Sequence, residues 1–161
     1  MTLKAIIFDV DGTLANTEHD CHLKAFNEVF DFFKLDCYWD NFIYRDLLSV
    51  SGGKERLTYY INNFNPKLKE GLSESDIDDI HNKKTEILIG RISEGLISLR
   101  IGVERLINDV HNHNLKLAIA TSTSFNNVKA ILESTLGKNA LKNFEIIAPG
   151  DIVDKKKPAS D

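Results

Sequence analysis

Apolar residues run almost unbroken from Ala5 through Ile6, Ile7 and Phe8 to Val10, and the run is rich in β-branched side chains. That pattern predicts a strand of a parallel sheet over residues 5–10, covered on both faces. From Glu18 to Lys34 the period changes: Leu23, Phe26, Phe30 and Phe33 recur three or four positions apart. They draw one stripe along a helix, and the phenylalanines read as packing. Residues 36–39 read as a loop anchored by burial of Trp39. Helices are predicted over 40–48 and 54–63, separated by the flexible joint Ser51-Gly52-Gly53-Lys54. Asn65-Pro66 breaks the pattern, and Ser73 to Asp76 supplies a capping-box start for a helix through Ile89.

No strand pattern interrupts residues 18–90. The segment therefore predicts an insertion of about four helices. It lacks the hydrophobic run of a central core and reads as a cap that packs on the main domain. Strand and helix patterns then alternate. A helix is predicted over 103–112, a strand over Leu115-Lys116-Leu117-Ala118-Ile119-Ala120, a helix from about 126 to 136, and a strand over 144–148 ending at Pro149-Gly150. This alternation predicts an α/β fold, a doubly wound parallel-sheet (Rossmann-like) core with a helical cap inserted after the first strand. The expected division is residues 1–16 and 92–161 for the core and 17–91 for the cap.

Composition narrows the partners. At 161 residues and a net charge of −4, the chain suits one domain with an inserted subdomain and shows no basic patch beyond Lys155-Lys156-Lys157. Nucleic acid is not an expected partner. No stretch is long and apolar enough for a bilayer, and the first apolar run meets acids too early for a signal peptide. Cys21 and Cys37 show neither metal-ligand spacing nor a disulfide framework, so a reducing, cytoplasmic setting is expected.

The chemistry-bearing residues lie at predicted strand ends, where ligands bind in parallel sheets. Asp9 and Asp11 stand one residue apart before Gly12. Two acids buried together need a cation or a proton to offset them; the alternative is a solvated Asp-Gly turn. Thr121-Ser122-Thr123-Ser124 ends the second strand and places hydroxyls where phosphate oxygens bind, although Ser122 or Ser124 also suits a helix N-cap.

Phe8-Asp9-Val10-Asp11-Gly12-Thr13 resembles the DxDGT signature of the haloacid dehalogenase-like phosphatases. Thr121 matches that superfamily's second motif, and Lys157-Pro158-Ala159-Ser160-Asp161 resembles its third, KPxxD. The resemblance implies Asp9 as nucleophile, Asp11 as general acid and base, Thr121 and Lys157 as phosphoryl-binding groups, and Mg2+ held at Asp9 and Asp11. A carboxylate nucleophile splits a hard hydrolysis into two easier steps, and the cation neutralises charge on the reacting oxygens.

Thr17-Glu18-His19-Asp20-Cys21-His22-Leu23-Lys24-Ala25-Phe26-Asn27, Tyr44-Arg45-Asp46-Leu47-Leu48 and Gly52-Gly53-Lys54-Glu55-Arg56 narrow this to CbbY-type sugar-bisphosphate phosphatases, relatives of β-phosphoglucomutase. That resemblance implies substrate-binding roles for Glu18, His22, Arg45, Gly53, Lys54, Lys84 and Ser122. Arg45, Lys54 and Lys84 are cations able to meet a second phosphate, and each also reads as a solvated helix face. His19, one turn before His22, matches no motif.

The substrate implied is a small phosphorylated sugar, a pentulose bisphosphate such as xylulose-1,5-bisphosphate. The protein is expected to be cytoplasmic (plastid stroma in a photosynthetic eukaryote), and monomeric if complete. Relatives continue past the third motif with further strands and an acidic loop that holds Mg2+. The chain ends at Asp161, so it is expected to be a fragment of a longer enzyme or the product of an interrupted gene, with its first strand left as an apolar edge. Two other readings stay open: a phosphosugar mutase, and a non-catalytic phosphosugar-binding remnant.

Overall fold

Three parallel strands carry the core in the order β1-β2-β3. The computed structural model describes residues 3–157 and 159, and the side chains of His19 and Asp20 are left aside. Pro158, Ser160 and Asp161 of the third motif lie outside the described residues. Strand β1 (Ala5–Phe8) pairs with β2 (Lys116–Ala120), setting Ile6 against Leu117 and Phe8 against Ile119. Strand β2 in turn pairs with β3 (Ile146–Ala148), setting Ile119 against Ile147.

The expectation that β1 is covered on both faces does not hold. Phe8 is buried, but Ile7, on the opposite side of the pleat, is 66% exposed. Strand β1 lies at one edge of this three-stranded sheet, and helices cover only its Phe8 side.

Between β1 and β2 come a π-helical turn over Glu18–Leu23 and then α1 (Lys24–Phe32). The uniform α-helix predicted over 18–34 thus has a widened first segment, a local device common at functional sites. Helix α2 (Asn41–Leu47) starts at an Asp40 cap that accepts from the Phe42 and Ile43 amides. Helix α3 (Gly53–Asn63) follows Gly52, and a single turn, α4 (Pro66–Lys69), occupies the place where the pattern broke. Proline suits that first turn because its missing N–H is not needed there. Helix α5 (Glu74–Ser93) opens with the predicted capping box between Ser73 and Asp76. Helix α6 (Val103–Asn112) and helix α7 (Phe125–Leu136) then flank β2 in the chain.

Two hydrophobic clusters organise this arrangement. The first joins Phe8, Val10 and Leu14 to Leu117, Ile119, Ile131 and Leu88, around the sheet. The second lies within the helical segment and is aromatic: Phe26, Phe30, Trp39, Tyr44 and Tyr60. The helical segment thus has a core of its own, which the absence of a long apolar run did not foretell. Trp39 is fully buried, as expected for the loop anchor, with its ring 4.4 Å from Phe26 and 5.1 Å from Phe30. Contacts of this kind contribute roughly 0.5–1.5 kcal/mol each beyond the area buried. The Asn27 side chain fixes the loop by exchanging two hydrogen bonds of 2.8 Å with the Trp39 backbone. No helix among the described residues is long and apolar enough to cross a membrane.

Candidate active site

Strand β1 ends at Phe8, immediately before Asp9. Beyond the strand the Val10 carbonyl accepts from the Thr13 and Leu14 amides, and Gly12 turns the chain at φ 71°. Asp9 therefore stands at the carboxyl end of β1, with Oδ1 accepting from the Val10 amide at 2.8 Å. Its other oxygen, Oδ2, lies 3.0 Å from Lys157 Nζ. The same ammonium donates to the Ala120 carbonyl at 2.9 Å, so Lys157 ties the end of β1 to the end of β2, next to Thr121.

Asp11 has a different set of partners, all from the helical segment. Its Oδ1 accepts from Thr17 Oγ1 at 2.5 Å and lies 3.1 Å from His22 Nε2. Behind His22, Nδ1 lies 2.7 Å from Lys84 Nζ, which is 1% exposed and sits 4.8 Å above the Phe26 ring. Burial alone pushes the Asp11 carboxyl up. The interaction with His22, the Thr17 hydroxyl and the Lys84 charge outweigh it and hold Asp11 well below the usual carboxylate range. Burial pulls Lys84 down to about 8, against the opposing pull of Asp11.

A second polar group borders the cleft. Tyr44 donates to Glu18 Oε2 at 2.5 Å, and Arg56 donates to Tyr44 Oη at 2.7 Å and to Glu18 at 3.4 Å. Arg56 Nε also donates to the Leu47 carbonyl at 3.1 Å, which pins α3 to the end of α2. Burial and the Glu18 charge push the Tyr44 hydroxyl far above its ordinary value, so it remains a donor.

On the sheet side the strand-end hydroxyls divide their duties. Ser124 is the N-cap of α7, accepting from the Asn127 amide, whereas Ser122 faces the cleft. Thr121 accepts from the Thr123 amide at 3.3 Å, and Thr123 accepts from Asn127 Nδ2 at 2.9 Å. The cleft has two connected parts. One, a cavity of about 30 Å3, is lined by Asp11, Glu18, His22, Gly53, Arg56 and Ser122. The other, a cavity of about 90 Å3, continues past His22 and Ser122 to Lys84, His81, Asn127 and Lys156. Burial first, then the Lys84 and Lys156 charges, pull the His81 imidazole down to about 4.

Asp9, Lys157 and Thr121 thus meet at the ends of β1 and β2, while Asp11, Glu18, His22, Gly53, Lys84 and Ser122 line this cleft. Arg45 and Lys54 do not line it. Arg45 is 70% exposed beside Asp46 and lies over the Phe42 ring, and Lys54 pairs with Asp78 on α5. The buried cation of the Gly-Gly-Lys-Glu-Arg stretch is Arg56, which sequence reasoning passed over. Its signal was spacing: Arg56 lies four positions before Tyr60, on the stripe that α3 buries.

Among the described residues no group of three or more His, Cys, Asp and Glu side chains is gathered to hold a metal. The hard donors at the end of β1 are the half-exposed Asp9 carboxylate and nearby peptide oxygens. Such a set fits a cation that keeps much of its water shell, as Mg2+ does.

Residues 6–161 match the profile of the family described as haloacid dehalogenase-like hydrolase. The chain belongs to the haloacid dehalogenase-like hydrolases. It is 47% identical over 161 residues to protein CbbY of Rhodobacter capsulatus, covering 100% of this chain and 69% of that one. It is 36% identical over 158 residues to a CBBY-like protein of Arabidopsis thaliana, covering 96% of this chain and 49% of that one. The crystal structure of a CbbY variant from Rhodobacter sphaeroides in complex with xylulose-(1,5)bisphosphate superposes with a TM-score of 0.87 at 40% identity, covering 98% of this chain and 68% of that one. The parallel sheet with inserted helices is accordingly the fold of that hydrolase family, and the chain is similar to the CbbY proteins over its whole length.

Proposed function

We propose that the chain carries the catalytic residues of a Mg2+-dependent phosphatase for a pentulose bisphosphate such as xylulose-1,5-bisphosphate, working through a phosphoryl group held on Asp9. The observation that carries this reading is the Lys157 ammonium set 3.0 Å from Asp9 Oδ2 at the ends of two adjacent parallel strands. There a carboxylate attacks phosphorus while a fixed cation meets the charge that develops on the phosphoryl oxygens.

Asp9 forms the new bond to phosphorus as the bond to the sugar oxygen breaks. That oxygen takes a proton from Asp11 as it leaves. In the second half-reaction water attacks the phosphoryl group, Asp11 takes back the proton, and the Asp9 carboxylate is released with orthophosphate. Asp11 is held as a carboxylate by Thr17 and His22, the form suited to receiving the water proton. To act as an acid it leaves these partners and first takes up a proton from solvent, which it then passes to the sugar oxygen. Mg2+, when bound at Asp9, would neutralise charge on the reacting oxygens.

Residues 17–91 form the cap in this proposal, with His22, Lys84, Glu18 and Arg56 lining its side of the cleft. Arg45 and Lys54, exposed beside carboxylates here, act on the second phosphate only by moving to the cleft. A second reading is phosphosugar binding without turnover.

The deciding experiment follows orthophosphate release from xylulose-1,5-bisphosphate by the purified chain with and without Mg2+. Release that is lost in Asp9→Asn supports the phosphatase. Binding without release overturns it in favour of the binding reading, and sugar interconversion without release overturns it in favour of a mutase.

A further inference from the structure

Lys156 and Lys157 are chain neighbours anchored on opposite sides of the cleft. Lys157 holds Asp9 and the Ala120 carbonyl in the core. Lys156 Nζ reaches Glu55 Oε1, in the first turn of α3, at 2.6 Å, across 101 positions of the chain. The segment from Asp151 to Lys157 contains no helix or strand, so no ladder of backbone hydrogen bonds sets its position. Side-chain anchors set it instead.

Gly52 makes room for this contact. A Cβ there would overlap Glu55 Oε2 and stand 2.7 Å from Lys156 Nζ, and the residue holds φ at 94°. The two charged ends therefore rest against a bare backbone at the entry to α3. Side-chain exposure of 22% for Lys156 and 46% for Glu55 places the pair at the rim of the cleft. An ion pair in such a place adds little to global stability, yet it spans the two walls of the site.

We propose that the Glu55–Lys156 ion pair is a latch that couples seating of the helical segment to placement of Lys157 on Asp9. Lys156 is a positioning residue: its ammonium is held by Glu55, and it acts on Asp9 through the adjacent peptide and Lys157. When Glu55 holds Lys156, the backbone at 156–157 is fixed and Lys157 is presented to Asp9. When the helical segment swings away, the latch opens and the Lys157 anchor loosens with it. Small displacements of a group that orients a nucleophile have large effects on rate. The latch thus reserves full organisation of the nucleophile for the seated state. The rate consequence rests on the phosphatase reading; the mechanical coupling does not.

The test is amide hydrogen exchange on the full chain for segments 50–56 and 150–157 in wild type, Lys156→Met, Glu55→Gln and the double variant. Each single change is expected to raise exchange about tenfold in both segments, with no further rise in the double variant, because one latch is lost once. Lys156→Arg, which keeps the charge, is expected to retain the wild-type pattern. Exchange that rises only around the mutated residue, or effects that add in the double variant, would overturn the latch. Where the wild type releases phosphate from the bisphosphate, each single variant is expected to lower kcat about tenfold with KM little changed. A wild type that releases none refutes the phosphatase reading, while the exchange experiment still decides the latch.

Discussion

Lys84 Nζ lies 2.7 Å from His22 Nδ1. An ammonium only donates, so Nδ1 is the acceptor, and the neutral ring carries its hydrogen on Nε2. That hydrogen points at Asp11 Oδ1, 3.1 Å away. Lys84 thus selects the tautomer that steadies the Asp11 carboxylate.

Replacing Lys84 with Met removes the donor and frees the choice of tautomer. Nitrogen NMR of His22 is expected to change from a single Nε2–H form to a mixture, and kcat to fall about 100-fold, the lower range for a disturbed general acid–base group. Stability follows pH as well. Folded Lys84 releases its proton near 8, and the unfolded side chain at the ordinary value of 10.5. Between those values the unfolded state holds more protons, so stability rises with pH, by on the order of 3 kcal/mol at full relief. Denaturant titrations at pH 7.5 and 10 are expected to show this gain in wild type relative to Lys84→Met. Equal pH responses in the two proteins would contradict it.

His81 works in the acid range. Its folded value of about 4 lies below the ordinary 6.5, so the unfolded state binds more protons between the two. Stability present above pH 6.5 is therefore lost as pH falls toward 4. His81→Asn should remove that loss. Asp11, whose carboxyl is also held low, adds a separate loss below its ordinary value of 3.8. Unfolding midpoints measured from pH 7 to 3 should separate the two phases.

Lys157 and Asp9 are each about four-tenths exposed, at 43% and 42%. Their ion pair contributes roughly 0–1 kcal/mol to stability. Lys157→Met should therefore leave the melting temperature nearly unchanged while reducing phosphate release at least about 100-fold, the effect of losing one preorganised charge-stabilising group. A variant that melts much earlier would assign Lys157 to structure instead.

Arg56 and Arg45 should behave oppositely. Arg56→Met leaves Glu18 and Tyr44 without their cation and the Leu47 carbonyl without a donor, which costs about 3 kcal/mol. Arg45→Met removes only exposed contacts, to Asp46 and over the Phe42 ring, and should change stability by less than about 0.5 kcal/mol. Urea unfolding of both variants compares them directly.

Gly150 sits where the end of β3 meets the end of β2. A Cβ would overlap the Ser122 carbonyl oxygen and stand 2.6 Å from its carbon, both backbone atoms that cannot swing aside. Gly150→Ala should cost about 1–3 kcal/mol and weaken orthophosphate binding by displacing Ser122. A calorimetric titration that matches wild type would rule out the second effect.

Most elements were legible because their signals are local. Helix α6 occupies the predicted 103–112, and the capping box at Ser73 opens α5 as the spacing required. The acid pair and the strand-end hydroxyls lie at the ends of apolar runs, where motif and strand boundary coincide, and Lys157 was marked by its motif alone. The widened turn at Glu18–Leu23 and the single turn at Pro66–Lys69 escaped the pattern because periodicity over so few residues does not separate them from an ordinary helix or a break.

The same division applies to Asp9-Val10-Asp11. The order of residues by itself determined that two carboxylates end the first strand, that a helical segment follows, and that a lysine returns near the far end. Only the tertiary structure decided their partners: Asp9 with Lys157, Asp11 with Thr17 and His22, and His22 with Lys84 across 62 positions. It also decided that Arg56 rather than Arg45 or Lys54 lines the cleft, and that Ile7 faces outward. Periodicity records which face of an element is apolar. Which distant element meets that face depends on packing of the whole chain, and no local pattern of side chains carries that information.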